Sequence, residues 1–196
     1  MTPTEPVYGL VLSGGRSRRM GRDKALLEHN GETQLARAVQ LLERHLERVF
    51  VSVRPDQAPD PERARFEQVV DRYRDIGPAA GILSALEAHP RAAWLVLACD
   101  LPRVNDETIA VLLRQRSKQP FTAFRSSRDD LPEPLCAVYR PQARELVAAF
   151  IRDGLVCPRK MLIRSDTRLL DLPDPKALDN VNTPEDLERA GFRAAS

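Results

Sequence analysis

Two adjacent glycines, Gly14 and Gly15, stand just beyond a short apolar run and are followed by Arg16, Arg18, Arg19, Arg22 and Lys24. A glycine pair lets backbone amides approach an anion closely. Amides, arginines and a lysine together suit the oxygens of a triphosphate and the charge that develops on a departing pyrophosphate. The spacing is neither the Walker pattern nor GxGxxG, and taken singly a Gly-Gly after a strand is equally a turn, and the arginines equally a solvated loop. A second chemical signal is Asp100, which ends the most hydrophobic run of the chain and is followed by Leu101 and Pro102. A carboxylate at a strand tip can hold a hard cation through oxygen while substrate phosphates fill its other positions, and magnesium is the expected ion. Alone, the same Asp would only accept hydrogen bonds from the turn that Pro102 fixes.

Two further segments carry polar groups at element boundaries. Asp71 and Arg72 precede Gly77-Pro78-Ala79-Ala80-Gly81, a loop-to-helix unit whose amides could meet a nucleoside while Asp71 bonds a base or ribose edge. A plain helix start explains the same residues. Near the end, Thr183-Pro184-Glu185-Asp186 is a helix cap with proline at the first position, which leaves Asn180 and Asn182 for another task.

These residues need a scaffold that brings them together, and the apolar pattern supplies one. Val7 to Leu12, Val49 to Val53, Phe66 to Val70 and Trp94 to Cys99 read as buried strands. Between them, Leu35, Ala38, Val39, Leu42 and Leu46 form one helical stripe over 34–47, and 78–89 has helical spacing with a proline near its start. Asn105 caps a helix to about Gln115. The proline- and charge-rich stretch 54–65 reads as an exposed connection. Strands alternating with helices predict right-handed crossovers and an α/β, three-layer Rossmann-like fold with a mainly parallel sheet. Ligands of such sheets bind at the carboxyl ends of the strands, where both candidate loops fall. Beyond Pro120, strands at 121–125 and 135–139 flank a polar, proline-containing turn, with helices at about 141–152 and 159–163; this half reads as an extension of the same sheet that carries the acceptor side, within one domain.

Bulk properties exclude several classes. With 30 basic and 28 acidic residues among 196, the net charge of +2 gives no electrostatic case for nonspecific nucleic-acid or membrane binding, and with 5% aromatic content and no basic stripe a nucleic-acid-binding role has little in its favour. No apolar stretch approaches the ~20 residues needed to span a bilayer. Cys99, Cys136 and Cys157 are widely spaced without a CxxC pair; two lie in apolar runs and read as core thiols. A reducing cytoplasm fits these features.

LVLSGGRSRRMGRDKALL, DIGPAAGILSAL, LVLACDLP and DNVNTPEDL occur in the order and spacing of the molybdenum cofactor guanylyltransferases, and the chain resembles that family from about Val7 to Leu187. The resemblance implies a Rossmann-like nucleotidyltransferase fold and magnesium-dependent transfer of GMP from GTP to molybdenum-bearing molybdopterin, with release of pyrophosphate. It implies that Leu12, Ser13, Gly14, Gly15 and Gly77 meet the nucleotide, that Lys24 and Arg19 act on its phosphates, that Asp71 binds the nucleotide and that Asp100 holds Mg²⁺. Ser52 falls where the family commonly has a nucleotide-touching asparagine. Asn180 and Asn182 match its Asn-x-Asn-Thr-Pro segment and are expected at the acceptor, a molybdopterin-type phosphate. Delivery of an unstable cofactor implies handover proteins. The acceptor half matches the family loosely, and Arg159, Lys160 and Arg164 either contact a pterin phosphate or decorate a helix. The rival readings are a transferase of the same fold that uses CTP or builds a sugar nucleotide, and a nucleotide-binding protein without turnover. Leu101, where the cytidylyl branch typically has Gln, favours the guanylyl branch.

Overall fold

The computed structural model describes residues 5–13, 23–29 and 31–179. Its elements are β1 (Val7–Leu12), a 3-10 turn (Lys24–Leu26), β2 (Glu28–His29), β3 (Glu32–Thr33), α1 (Gln34–Glu43), β4 (Val49–Val53), a 3-10 turn (Arg63–Arg65), β5 (Glu67–Val70), α2 (Pro78–Ala88), β6 (Ala93–Ala98), α3 (Asp106–Gln115), β7 (Phe121–Arg125), β8 (Pro132–Tyr139), α4 (Ala143–Arg152), α5 (Pro158–Ile163) and β9 (Thr167–Leu170). A seven-stranded sheet has the order β5-β4-β1-β6-β8-β7-β9. The pairs β5-β4, β4-β1, β1-β6 and β7-β9 are parallel, and β8 runs antiparallel to both neighbours.

The two-residue period of the strands divides the core into two layers. Val11, Val49, Val51, Val53, Leu95 and Leu97 face one side, where Leu35, Val39 and Leu42 of α1 and Ile109 and Leu112 of α3 cover them. Leu10, Leu12, Phe50, Trp94 and Val96 face the other, under Ile82, Leu83 and Leu86 of α2, Val147 of α4, and Met161 and Leu162 of α5. β1, β4 and β6 are thus sandwiched between helices, which is why their sequences are nearly free of charge.

The helices begin where their caps predict. Thr33 Oγ1 accepts from the Ala36 amide at 3.0 Å and Asn105 Oδ1 from the Thr108 amide at 3.0 Å. α1 ends at Glu43 rather than at 47, because the His45 and Leu46 amides both turn back onto the Leu42 carbonyl, and Leu46 still packs on the core.

Two readings of the sequence are corrected. β8 starts at Pro132, not at 135, and so absorbs much of the expected turn. Prolines are tolerated there because β6 pairs only with Cys136–Tyr139, so the first residues of β8 have β7 alone as a neighbour. The connection 54–65 is not simply exposed: Gln57 is buried and Arg63 is 1% exposed. β9, short and only partly buried, gave no strand pattern beforehand.

Candidate nucleotide site

The register across the sheet brings the candidate residues to one edge. Leu12 pairs with Ser52 on one side and with Ala98 on the other, and Ser52 in turn pairs with Val69. Adjacent strands lie ~4.8 Å apart, so Ser13, one residue past this row after β1, and Asp100, two past it after β6, end neighbouring strands, while Asp71, two past it after β5, lies across β4 at the same carboxyl edge of the sheet. Asp71 is anchored by its own amide, which donates to the Val53 carbonyl at 2.8 Å, and the Cys99 amide donates to the Leu12 carbonyl at 3.3 Å.

Side-chain bonds knit this edge. The Ser13 hydroxyl, 2% exposed, donates to the Ser52 carbonyl at 2.8 Å, and the Ser52 hydroxyl donates to Asp71 Oδ1 at 2.8 Å. Burial pushes the Asp71 carboxyl up to about 6, against the lowering effects of the Ser52 hydroxyl and the nearby Arg54 guanidinium.

Glycines set the approach of α2 to this edge. Gly77 has φ of +59°, a conformation open to glycine and strained for other residues, and Pro78 then fixes the first helical position. At Gly81 the demand is space: a Cβ there would lie 2.1 Å from Ser52 Oγ and 3.1 Å from Leu12 Cδ2. The Ser84 hydroxyl accepts from the Arg72 amide at 2.9 Å, so α2 also holds the turn that follows Asp71.

Among the described residues no cluster of three or more His, Cys, Asp or Glu could hold a metal ion. A single carboxylate at a strand tip, as Asp100 provides, fits a magnesium ion that arrives with a triphosphate and keeps much of its water, rather than one caged by protein. The neighbouring Cys99 is buried, and desolvation raises its thiol pKa, with Asp100 and Asp23 adding to the effect; it is a core thiol, as is Cys136, while Cys157 is exposed.

Of the other expected site residues, Lys24 opens the first 3-10 turn. Gly14, Gly15, Arg19, Asn180 and Asn182 lie outside the described residues. On the acceptor side, Arg159 is engaged by Asp129 at 2.9 Å and Glu133 at 2.7 Å. A residue with no forewarning in the sequence is Arg63, whose buried guanidinium reaches Ser13 and Asp23. It is one arginine among many in a charged stretch, and its burial carries no periodic signal.

The family model of the MobA-like NTP transferase domain matches residues 9–168. The chain belongs to that family. A probable molybdenum cofactor guanylyltransferase of Opitutus terrae is 36% identical over 196 residues, covering 92% of this chain and 93% of the relative. A molybdenum cofactor biosynthesis bifunctional protein of Synechocystis is 38% identical over 182 residues; the match covers 92% of this chain and 52% of that protein, so the chain spans about half its length. Among solved structures, molybdopterin-guanine dinucleotide biosynthesis protein A of Archaeoglobus fulgidus has a TM-score of 0.75 at 23% identity, covering 93% of this chain and 96% of that one. A 4-diphosphocytidyl-2C-methyl-D-erythritol synthase of Anaerococcus prevotii reaches a TM-score of 0.72 at 10% identity, covering 95% and 94%. The MobA-like fold therefore does not by itself select the nucleotide. This MobA-like chain is a nucleotidyltransferase, and no helix among its described residues is long and apolar enough to cross a membrane.

Proposed function

We propose that this MobA-like nucleotidyltransferase moves GMP from GTP onto molybdenum-bearing molybdopterin, in the cytoplasm, forming the guanine dinucleotide cofactor and pyrophosphate. The observation that carries the reading is the sheet edge, where Ser13, Ser52, Asp71 and Asp100 lie at or just past the carboxyl ends of four adjacent parallel strands. A terminal phosphate oxygen of the acceptor attacks the α-phosphorus in line. A new P–O bond forms there as the bond to the bridging oxygen breaks, and its electron pair leaves with pyrophosphate. The attacking oxygen is already anionic, so no protein base is required, and positioning and charge neutralisation supply the catalysis.

Asp71 accepts from the donor edge of guanine, whose adjacent N–H groups match the two oxygens of a carboxylate; cytosine offers a donor beside an acceptor and matches it less well. The amides and cations of 13–24, with Arg19 and Lys24 foremost, take the phosphates, and Asn180 and Asn182 hold the acceptor. Asp100 holds the magnesium, which supplies Lewis-acid neutralisation of the phosphates when bound. Partners that hand the cofactor on belong to the same reading.

The second reading is a cytidylyltransferase, favoured by the shared fold of the Anaerococcus enzyme. Pyrophosphate release is measured with Mg²⁺ and each of GTP, CTP, ATP and UTP, with and without a molybdopterin acceptor. Acceptor-dependent release selective for GTP is the expected result. Selectivity for CTP moves the assignment to the second reading, and binding without release under every condition leaves a nucleotide-binding protein.

A further inference from the structure

The stretch between β4 and β5 sends one side chain through the interior to the sheet edge. Arg63 is 1% exposed, and its guanidinium makes four polar contacts. Nε donates to Ser13 Oγ at 3.2 Å, Nη2 donates to the Ser13 carbonyl at 3.2 Å and to Asp23 Oδ2 at 2.6 Å, and Nη1 faces Asp60 Oδ1 at 3.3 Å. Asp60 also accepts from the Arg63 amide at 3.1 Å, fixing the backbone from which the side chain starts. Ser13 and Asp23 are the residues on either side of 14–22, the glycine- and arginine-rich segment assigned to the phosphates. Asp23 is itself oriented by accepting from the Ala25 amide at 3.1 Å, across the first residue of the 3-10 turn, Lys24.

From this geometry we infer that Arg63 is a positioning residue for the nucleotide: it clamps the start and end of the phosphate-binding segment to the sheet edge and neutralises Asp23 beside the phosphates. The inference rests on the reading of 13–24 as the triphosphate segment. Two physical points carry it. A buried guanidinium is retained only where hydrogen bonds replace its water, and here three of the four contacts go to residues bounding one segment rather than to the connection that carries Arg63. The planar fork also fixes both distance and angle between Ser13 and Asp23, which a lysine ammonium, a point charge on a flexible stem, does not. The clamp extends further, because the Ser13 hydroxyl passes from Arg63 to the Ser52 carbonyl and the Ser52 hydroxyl holds Asp71. One guanidinium thereby joins the phosphate end of the site to its base end. Without Arg63 the Asp23 carboxylate would face the triphosphate uncompensated.

The test compares Arg63→Lys, Asp23→Asn and Asp60→Asn in the full chain. Mg·GTP affinity is measured by calorimetric titration well below the unfolding temperature, with urea stability measured alongside. Arg63→Lys and Asp23→Asn are expected to weaken Mg·GTP binding about tenfold or more. Asp60→Asn, which removes a partner on the connection side only, is expected to lower stability while keeping affinity within about twofold of the unaltered chain. Unchanged affinity in both Arg63→Lys and Asp23→Asn overturns the inference, as does a loss in Asp60→Asn equal to that in Asp23→Asn. If the unaltered chain binds none of the four nucleoside triphosphates, the nucleotide reading itself falls and the inference with it. That failure is seen in the unaltered chain, before any variant is compared.

Discussion

Asp71 is a carboxyl whose ionised form is penalised by burial. Burial lifts it to about 6 from the ordinary 3.8, so between these values the folded chain holds a proton that the unfolded chain has lost. The sign follows. Asp71's contribution to stability is fully present below the ordinary value and is lost as pH rises through about 6. In the proposed base contact nucleotide affinity runs the opposite way, because accepting from two N–H groups would require the carboxylate; GTP binding is then expected to weaken as pH falls through about 6. Asp71→Asn removes both dependences at once. At pH above the shifted value it should be as stable as the unaltered chain or more so, since a desolvated charge has gone. Its GTP affinity should fall by about tenfold or more, roughly the worth of ~1.4 kcal/mol. Urea midpoints and GTP titrations across pH for both proteins check this, and a GTP affinity that stays flat through the acid range would remove Asp71 from the base contact.

At the scale of elements, α2 is pressed against β1 and β4 so closely that one position admits only hydrogen. A Cβ on residue 81 would overlap Ser52 Oγ at 2.1 Å, and that hydroxyl is the one that holds Asp71. Gly81→Ala must either push α2 outward or turn the Ser52 hydroxyl away. It is expected to cost ~1–3 kcal/mol in urea unfolding, the usual range for overpacking, and to weaken GTP binding through Asp71. Ser52→Gly in the same chain removes the clashing atoms, so the double variant should regain part of the stability but not the affinity. Additive losses in the double variant would show that the two positions are not in contact.

The same contact marks what was legible beforehand. The Gly-Pro-x-x-Gly string announced a helix start, and buried strands and capped helices were readable from Val7 to Gln115, because each rests on local periodicity and cap chemistry. The close packing at Gly81, the clamp at Arg63 and the pairing of β9 at the sheet edge rest on residues that meet only after folding. No spacing in 54–65 distinguishes the buried Arg63 from the exposed Arg65 two residues later. The acceptor half is less legible in the sequence for a related reason: β8 carries prolines at its start, and these suggest a turn unless the missing neighbour is known.

The molecule as a whole makes the site a product of folding. Ser13, Ser52, Asp71 and Asp100 come from strands spread over about half the chain and become neighbours only when β1, β4, β5 and β6 pair. The unfolded chain therefore lacks the site, and the proposed nucleotide binding is expected to appear as stability, by ~2.7 kcal/mol at a ligand concentration 100-fold above Kd. Mg·GTP is expected to raise the unfolding free energy from urea titration by that scale, equal concentrations of CTP by less, and GTP with a chelator by less again. Asp100→Asn separates the metal contribution from the rest. Its urea stability without nucleotide is measured first, so that each protein's increment is read from its own baseline. With GTP it should gain the same increment whether or not magnesium is present. Retention of the full magnesium-dependent increment in Asp100→Asn would mean that the ion is held by the triphosphate and other groups, and pyrophosphate release by that variant should then be close to normal. Loss of the increment with turnover reduced by ~100-fold or more is the outcome expected of a carboxylate that places the ion.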